Sequence, residues 1–239
     1  MTPGALNDPD LVRREYADES GLATRIAAQE AAAGPDPRQV ALDAVAETSP
    51  RRVLEVGPGR GELAERMVRE LGVEVVAVDQ SPRMVELTRA RGVEAVVGDV
   101  QELPFPAGQF DCAVAAWMLY HVPDLDRALR ELRRVLRPEG RLVAVTNSER
   151  TLHELWDIVA FDGARAEGFS AESGQGTLLR HFTIVERRDV RGTVTFPNRE
   201  AAYRYIAASP TRSHLAERLP FFDEPLHASR HVVVFVCEP

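Results

Sequence analysis

The sequence contains no lysine. Its 29 lysine-plus-arginine positions are all arginines, in a chain of 239 residues. A P-loop NTPase needs the lysine of its phosphate loop, and a protein kinase needs a lysine on a strand of its N-terminal lobe. Schiff-base chemistry needs an amine nucleophile. The composition therefore excludes these three function classes.

Cysteines and long apolar segments are also scarce. Cys112 and Cys237 lie too far apart in the sequence to indicate a disulfide framework or a zinc site, so no metal is expected. The longest apolar run, residues 113–120, is too short to span a bilayer, and the first ten residues are polar. We therefore expect a cytoplasmic protein without a membrane partner.

The net charge is −8, and the calculated pI is about 5.4. Tight binding to nucleic acid usually needs a basic surface, so we expect no nucleic-acid partner. Four arginines, at positions 130, 133, 134 and 137, recur opposite the apolar stripe of a predicted helix. We interpret them as a solvated helix face.

Short apolar runs alternate with amphipathic segments along the first two thirds of the chain. This alternation predicts βαβ units and a parallel sheet covered on both faces. The predicted strands are 52–56, 73–78, 93–97, 110–116, 141–146, 182–190, 193–196 and 231–236. The predicted helices are 10–33, 38–47, 62–71, 82–91, 125–136, 151–161 and 199–208. Residues 163–176, rich in Gly, Ala and Ser, are predicted to be mobile.

A glycine loop joins the first predicted strand to the helix that follows it. Gly57, Gly59 and Gly61 lie in this loop, and Asp79 ends the second strand. Glycines let the backbone approach a ligand, and an acid on the neighbouring strand can accept hydrogen bonds from a ribose diol. Alternatively, the loop is a tight turn without a ligand and Asp79 is a helix cap.

Two acids near this loop are unfavourable to a phosphate ligand. Glu62 stands where dinucleotide-binding loops carry their third glycine, and Glu55 lies two residues before the loop. Both favour a positively charged ligand that has no phosphate. A nicotinamide-dependent reductase on a similar fold is the alternative enzyme; Glu62 and the absence of a Tyr-x-x-x-Lys pair disfavour it.

Residues 53–61 (VLEVGPGRG) resemble motif I of the class I S-adenosylmethionine-dependent methyltransferases. Residues 79–84 resemble the ribose-binding acid and the next helix of that family, and residues 98–105 resemble its adenine-binding segment. Residues 110–114, 121–124 and 136–142 complete the pattern of its small-molecule subgroup. The resemblance covers residues 50–146. It implies an α/β fold, a Rossmann-like, doubly wound, mostly parallel seven-stranded sheet with helices on both faces and an antiparallel last strand.

The resemblance also implies S-adenosylmethionine as the cofactor and S-adenosylhomocysteine as its product. The implied cofactor-binding residues are Tyr16 and Arg25 in a lid, Glu55 at the methionine amine, Gly57 and Gly59 along the methionine and ribose, Asp79 at the ribose hydroxyls, Gln80 and Met84 beside the adenine, Asp99 and Val100 at the adenine amine, and Ala116 beneath the donor sulfur.

The acceptor pocket is expected beside the end of the fourth strand. His121 follows that strand and is a candidate general base, or else it holds the loop by bonding a backbone group. Trp117 and Tyr120 line the pocket or belong to the core. Further candidate wall residues after the fifth strand are His153, Trp156, Phe161 and Phe169.

The expected domain organisation has four parts. Residues 1–35 form an N-terminal helical lid, residues 36–150 the cofactor-binding Rossmann-like core, residues 151–180 a helical and mobile substrate cap, and residues 181–239 the strands and helix that complete the core sheet.

The expected function is transfer of a methyl group to an O, N or C atom of a small metabolite, in specialised metabolism, by a monomer or homodimer. After the fourth strand the sequence has Ala115-Ala116-Trp117, without an Asn-Pro-Pro-aromatic signature or a Pro-Cys nucleophile. Methylation of nucleic-acid bases is therefore disfavoured. A binding module that holds the cofactor without transferring its methyl group is the alternative outside enzymes.

Overall fold

The computed structural model describes residues 19–161, 168–209 and 212–239. Tyr16, which is implied to belong to a lid over the cofactor, lies outside these residues. The first part of the described chain contains α1 (Glu19–Glu30), α2 (Pro37–Ala46), β1 (Arg52–Val56), α3 (Glu62–Arg66), β2 (Glu74–Asp79), α4 (Pro82–Ala90), β3 (Glu94–Val97) and β4 (Phe110–Ala116). The second part contains α5 (Leu125–Val135), β5 (Leu136–Asn147), α6 (His153–Ile158), α7 (Gly174–Leu178), β6 (Ile184–Phe196), α8 (Arg199–Ala207) and β7 (Leu226–Glu238).

Four of the described helices begin at residues whose side-chain oxygens accept a backbone hydrogen bond. Asp36 caps α2, Ser81 caps α4, Asp124 caps α5, and Asn198 caps α8. Ser81 and Asn198 stand immediately before the helices predicted at 82–91 and 199–208. Such caps satisfy N–H groups that have no partner inside the helix, and they fix where the chain turns from strand or loop into helix.

The described strands form one seven-stranded sheet in the order β3-β2-β1-β4-β5-β7-β6. Strands β1 to β5 are parallel, and β7 runs antiparallel to both β5 and β6. The predicted fold class is therefore confirmed. The chain order reverses between β1 and β4, and open α/β sheets form their ligand crevice at the carboxyl ends of such strands.

The two faces of the sheet carry separate apolar clusters because successive side chains of a strand point to opposite faces. Leu54 and Val56 of β1 pack on the face covered by α5, together with Leu129 and Leu132. Val53 packs on the other face with residues of α2 and α3. Glu55 shares the face of Val53, so its carboxyl group lies in an apolar layer.

A third cluster lies beyond the end of β5 and contains residues of α6, α8 and the far ends of β6 and β7. Its buried members include Trp156, Phe196, Tyr205 and Leu215. Helix α1 packs against the end of α8, where a side chain at Gly21 would meet the carbonyl oxygen of Ala208 at 2.7 Å. These elements form one wall of the site described below.

Several element boundaries differ from the sequence prediction. Helix 62–71 changes to π-helical geometry from Met67 to Leu71. The two strands predicted at 182–190 and 193–196 are one strand, β6, which pairs with β7 through Gly192. The predicted break is absent because the carbonyl-to-amide pairing with β7 continues across that glycine.

Residues 168–176, predicted as part of a mobile stretch, pack against the sheet. Phe169 is fully buried, and its ring centroid lies 6.0 Å from the ring centroid of Phe235. A side chain at Gly174 would come within 2.7 Å of the Phe235 ring, so this glycine permits close packing. Phe169 is therefore a core residue, which corrects its assignment to the acceptor wall.

The arginine face of α5 is solvated, as predicted, with Arg130 and Arg133 exposed. Arg133 also donates to the carbonyl oxygen of His181 at 2.7 Å, and Arg134 donates to the carbonyl oxygen of Phe105 at 2.8 Å. These two guanidinium groups tie α5 to neighbouring segments.

Candidate active site

A cavity of about 850 Å³ opens at the carboxyl ends of the central strands. This volume is in the range of pockets that enclose a small-molecule ligand. The cavity brings together most of the residues singled out from the sequence. Its wall includes Arg25, Glu55, Gly57, Gly59, Asp79, Gln80, Asp99, Val100, Ala116, Trp117, Tyr120, His121 and Trp156.

Besides Phe169, three candidate site residues are absent from the cavity lining: Met84, His153 and Phe161. The side chain of Met84 is buried, 1% exposed. Its backbone N–H donates to the side-chain oxygen of the Ser81 cap at 3.4 Å. His153 also lies off the cavity, with its Nδ1 atom 3.1 Å from the carbonyl oxygen of Arg150.

The glycine loop after β1 has backbone geometry that favours glycine. Gly57 and Gly59 have φ angles of +63° and +57°. A side chain at Gly57 would come within 2.8 Å of Met118, so this position is closed by packing. Apart from the flanking Pro58 and Arg60, no atom of the described residues lies within 4 Å of the place where a Cβ of Gly59 would stand. The loop therefore leaves space above Gly59 for a ligand to contact the backbone.

Glu55 places a buried carboxyl group beside the loop. The residue is 2% exposed, and Oε2 has no hydrogen-bond partner among the described residues. Burial, with further contributions from the charges of Glu62 and Asp79, raises the pKa of Glu55 to about 8. A positively charged ligand group beside Oε2 would favour the ionised form and supply the missing contact.

Asp79 ends β2 and faces the same cavity. Its Oδ1 accepts a hydrogen bond of 2.9 Å from the backbone N–H of Ser81. Burial raises the pKa of Asp79 to about 6, although backbone hydrogen bonds from Ser81 and Gly59 oppose the rise. The carboxylate thus has a structural role in the loop as well as a position on the cavity wall.

Asp99 is held by a neighbour that the sequence interpretation did not include. The side-chain amide of Gln101 lies 3.1 and 3.0 Å from the two Asp99 carboxylate oxygens, and the Gln101 backbone N–H donates to Oδ1 at 2.8 Å. The Gln101 amide oxygen accepts from the backbone N–H of Asp124 at 3.0 Å. Gln101 therefore links Asp99, which follows β3, to Asp124, which caps α5.

The end of β4 has a strained residue at its turn. Trp117 has a φ angle of +54°, which is uncommon for a bulky side chain, and its backbone N–H donates to the carbonyl oxygen of Val145 at 2.9 Å. Its indole N–H donates to Oδ1 of Asn147 at 3.2 Å. The guanidinium carbon of Arg38 lies 5.6 Å from the Trp117 ring centroid.

His121 lies in a short 3₁₀ turn that contains residues 119–121. Its ring stands edge-on to that of Tyr120, with centroids 4.4 Å apart, and both residues line the cavity. The backbone N–H of His121 donates to the carbonyl oxygen of Met118 at 2.9 Å. The backbone bond fixes the turn that places His121 on the cavity wall.

Sequence reasoning missed a second set of polar and aromatic wall residues. These residues come from α2, from α8 and the segment after it, and from β5 and β7. They are Arg38, Asn147, Tyr205, Ser209, Arg212 and Arg230. Their positions depend on how distant segments pack, and no local motif marks them.

The described residues contain neither a membrane-crossing helix nor a metal-binding cluster. Among residues 19–161, 168–209 and 212–239, no helix is long and apolar enough to cross a membrane. Within the same ranges, no group of three or more His, Cys, Asp or Glu side chains is arranged to hold a metal ion.

A parallel sheet with this strand order, an antiparallel last strand, a glycine loop after β1 and an acid at the end of β2 are together typical of the Rossmann-like methyltransferase fold. A family model described as a methyltransferase domain matches residues 54–144. Over these residues, somewhat more than a third of the sequence, the chain is similar to that methyltransferase domain.

The relatives are similar mainly in this core. An uncharacterized methyltransferase of Mycobacterium bovis is 37% identical over 159 residues, which are 64% of this chain and 62% of the relative. A demethylmenaquinone methyltransferase of Thermus thermophilus is 40% identical over 115 residues, covering 45% of this chain and 52% of that protein. The chain thus spans less than two thirds of the length of these relatives.

A solved structure has a similar fold over nearly the whole chain. The crystal structure of a methyltransferase of Thermotoga maritima aligns with a TM-score of 0.60 at 20% identity, covering 95% of this chain and all of that one. At this identity the comparison supports the fold alone.

Proposed function

We propose that this protein transfers the methyl group of S-adenosylmethionine to a small-molecule acceptor. The observation that carries the proposal is the buried Glu55 carboxyl group, whose Oε2 has no partner among the described residues, beside the open space over Gly59. A cationic ligand without phosphate fits both features. A pyrophosphate would instead meet the acids Glu55 and Glu62.

The residues present fit the cofactor at each of its parts. Glu55 would bind the methionine ammonium, the backbone of Gly57 and Gly59 would lie along the chain and ribose, and Asp79 would accept from the ribose hydroxyls. Gln80, Asp99 and Val100 would surround the adenine, and Ala116 would lie beneath the sulfur. Arg25 lines the cavity and remains a candidate for covering the ligand.

The cofactor would supply an activated methyl group on a positively charged sulfur. The protein's own contribution is to hold the acceptor in line with that group and to exclude water. Orientation of this kind is worth about 7–11 kcal/mol of activation free energy. Trp117, Tyr120 and Trp156 form apolar walls beside the cofactor region and would position the acceptor.

His121 is the candidate general base. A base accelerates transfer to a hydroxyl or a carbon acid, because those acceptors lose a proton as the new bond forms. A neutral amine needs such help less. The identity of the acceptor atom therefore decides how much His121 contributes.

The proposal is tested by calorimetry followed by a turnover assay. We expect S-adenosylmethionine and S-adenosylhomocysteine to bind with 1:1 stoichiometry and NADH to give no heat of binding. We then expect S-adenosylhomocysteine to form with at least one member of a metabolite panel. Binding of NADH in place of both thioethers would overturn the proposal, and cofactor binding without turnover on any acceptor would favour a non-catalytic binding module.

A further inference from the structure

Trp117 and Asn147 lie where the fourth and fifth strands end at the cavity. Trp117 follows β4, Asn147 ends β5, and both residues line the cavity. Strand β5 is next to β4, which ends at Ala116, and three strand spacings from β2. Asn147 is therefore about 14 Å across the sheet from Asp79. A ligand group at Asn147 would belong to the acceptor and not to the ribose of the cofactor.

The backbone of Asn147 is fixed on both sides. Asn147 pairs with Val232 of β7, and its carbonyl oxygen accepts from the backbone N–H of Ala171 at 3.1 Å. The next residue, Ser148, donates its backbone N–H to the carbonyl oxygen of His231 at 2.9 Å. The Asn147 side chain is therefore attached to a rigid element of the sheet, which favours precise recognition of a ligand.

A hydrogen bond between Trp117 and Asn147 determines how the Asn147 amide is oriented. The indole N–H of Trp117 donates to Oδ1 of Asn147 at 3.2 Å. An indole nitrogen can only donate, so the amide oxygen, and not the amide nitrogen, must face the ring. The two N–H donors of Nδ2 are consequently left for another partner.

That partner is not supplied by the described residues. In the part of the chain that the structure describes, Nδ2 of Asn147 makes no hydrogen bond, and it is not among the buried polar atoms that lack one. Nδ2 is therefore accessible, on a partly buried residue of the cavity wall. A ligand that covered Nδ2 without accepting from it would leave the donor unsatisfied, which is costly.

Aromatic rings accompany this donor on the cavity wall. Trp117 is one of them, and Trp156 and Tyr205 line the same cavity with their ring centroids 6.4 Å apart. Pockets with flat apolar walls and a few placed polar groups suit planar, largely apolar ligands. The polar group at Asn147 then selects which atom such a ligand carries beside the Trp117 ring.

We propose that Asn147 determines specificity for the methyl acceptor, because its side-chain amide donates a hydrogen bond to a carbonyl oxygen of a planar, largely apolar acceptor that packs beside Trp117. This inference rests on the proposed function, since it assigns a residue of the same cavity to the acceptor. A carbonyl oxygen complements Nδ2 because it only accepts, whereas an ammonium group would bring further donors against it.

The test compares acetophenone with α-methylstyrene, which has the same shape but carries a methylene group in place of the carbonyl oxygen. Both are titrated into the isotopically labelled full chain saturated with S-adenosylhomocysteine, and nuclear magnetic resonance spectroscopy follows the two indole and the side-chain amide signals. We expect acetophenone to bind about fivefold to tenfold more tightly, as is typical of a hydrogen bond between neutral groups. It should also shift the Asn147 amide protons downfield, and α-methylstyrene should not.

Asn147→Asp is the most specific variant, because its carboxylate keeps an oxygen for the Trp117 indole and loses the N–H donors. The preference for acetophenone should disappear in this variant, and its spectrum identifies the Asn147 amide signals by their absence. Asn198→Asp is the matched control. Asn198 is exposed, does not line the cavity and caps α8, a position that aspartate fills equally well. The control adds the same charge and should keep the preference.

The failure of this inference differs from that of the proposed function. If S-adenosylhomocysteine binds but acetophenone binds no better than α-methylstyrene, or does not bind, the role of Asn147 is excluded while the proposed function stands. An unchanged preference for acetophenone in Asn147→Asp would also overturn the inference, since the hydrogen bond would then lie elsewhere. If S-adenosylhomocysteine itself does not bind to the unaltered protein, the proposed function fails.

Discussion

The Oδ1 atom of Asp79 accepts a hydrogen bond of 2.9 Å from the backbone N–H of Ser81, the residue that caps α4. The same carboxylate lines the cavity, so one side chain shapes the loop and faces the ligand region. Its position at the end of β2 results from the parallel pairing of Val56 with Val78 in the centre of the sheet.

Replacement of Asp79 should weaken cofactor binding. We expect Asp79→Ala to reduce the affinity for S-adenosylhomocysteine by about 1.5–3 kcal/mol, because hydrogen bonds to a charged group are lost. Isothermal titration calorimetry measures this directly. The control is Asp43→Ala, an exposed acid of α2 outside the cavity, which should bind as the unaltered protein does. Equal affinity in both variants would remove the ribose assignment.

Alanine variants of two glycines distinguish the loss of a ligand contact from the cost of backbone strain. Gly59 and Gly72 have φ angles of +57° and +68°, and in the described part of the chain no atom beyond their own neighbours lies within 4 Å of the place of a Cβ. Alanine at either position should cost about 1–2 kcal/mol of stability, measured by urea denaturation. Only Gly59 lines the cavity. Gly59→Ala should therefore weaken S-adenosylhomocysteine binding while Gly72→Ala leaves it intact, and equal loss in both would contradict the account.

The buried acid Glu55 should make stability depend on pH. Burial raises its pKa from an ordinary value of 4.5 to about 8, so between these values the folded chain keeps a proton that the unfolded chain releases. The free energy of unfolding should fall as pH rises through this range, by about 1.4 kcal/mol per pH unit. Asp79 acts in the same direction from 3.8 to about 6.

Urea denaturation at a series of pH values measures this slope. Glu55→Gln cannot ionise and should flatten the curve between about pH 6 and about pH 8, above the titration of Asp79. The decisive comparison is the slope of the variant against that of the unaltered protein. If the two slopes agree over this interval, Glu55 does not titrate as its burial requires.

Replacement of His121 should affect turnover more than cofactor binding. If it acts as a general base, His121→Ala should lower kcat by roughly 10²-fold or more on an acceptor that loses a proton. The affinity for S-adenosylhomocysteine should change little. His153→Ala is the matched control, because His153 does not line the cavity. Full activity of His121→Ala would return His121 to a role in holding its turn.

The core of the fold could be predicted from the sequence because its signals are local. The β-branched runs predict the parallel strands, and the spacing around Leu129 and Leu132 predicts α5. The boundaries of β4 agree with the prediction, Phe110–Ala116. Strand β6 was divided wrongly at Gly192, because a glycine in the sequence does not reveal that a partner strand continues the pairing.

The two sides of the cavity also differ in how far the sequence predicts them. Glu55 lies next to the end of β1, Asp79 ends β2 and Asp99 follows β3, all at motif spacing, so their place on one edge of the sheet could be predicted. Arg230 reaches the cavity because β7 pairs with β5, and Arg212 because the segment after α8 lies against Trp156; no local pattern encodes either contact.

A crystal structure of the protein with S-adenosylhomocysteine tests the central claim most directly. We predict that the ligand lies at the carboxyl ends of β1 and β2, with its ammonium at Glu55 and its ribose hydroxyls at Asp79. The side of the cavity near Arg212 and Trp156 should remain accessible to an acceptor. Ligand density elsewhere, or a cavity that stays empty at saturating ligand, would contradict the assignment of this site to the cofactor.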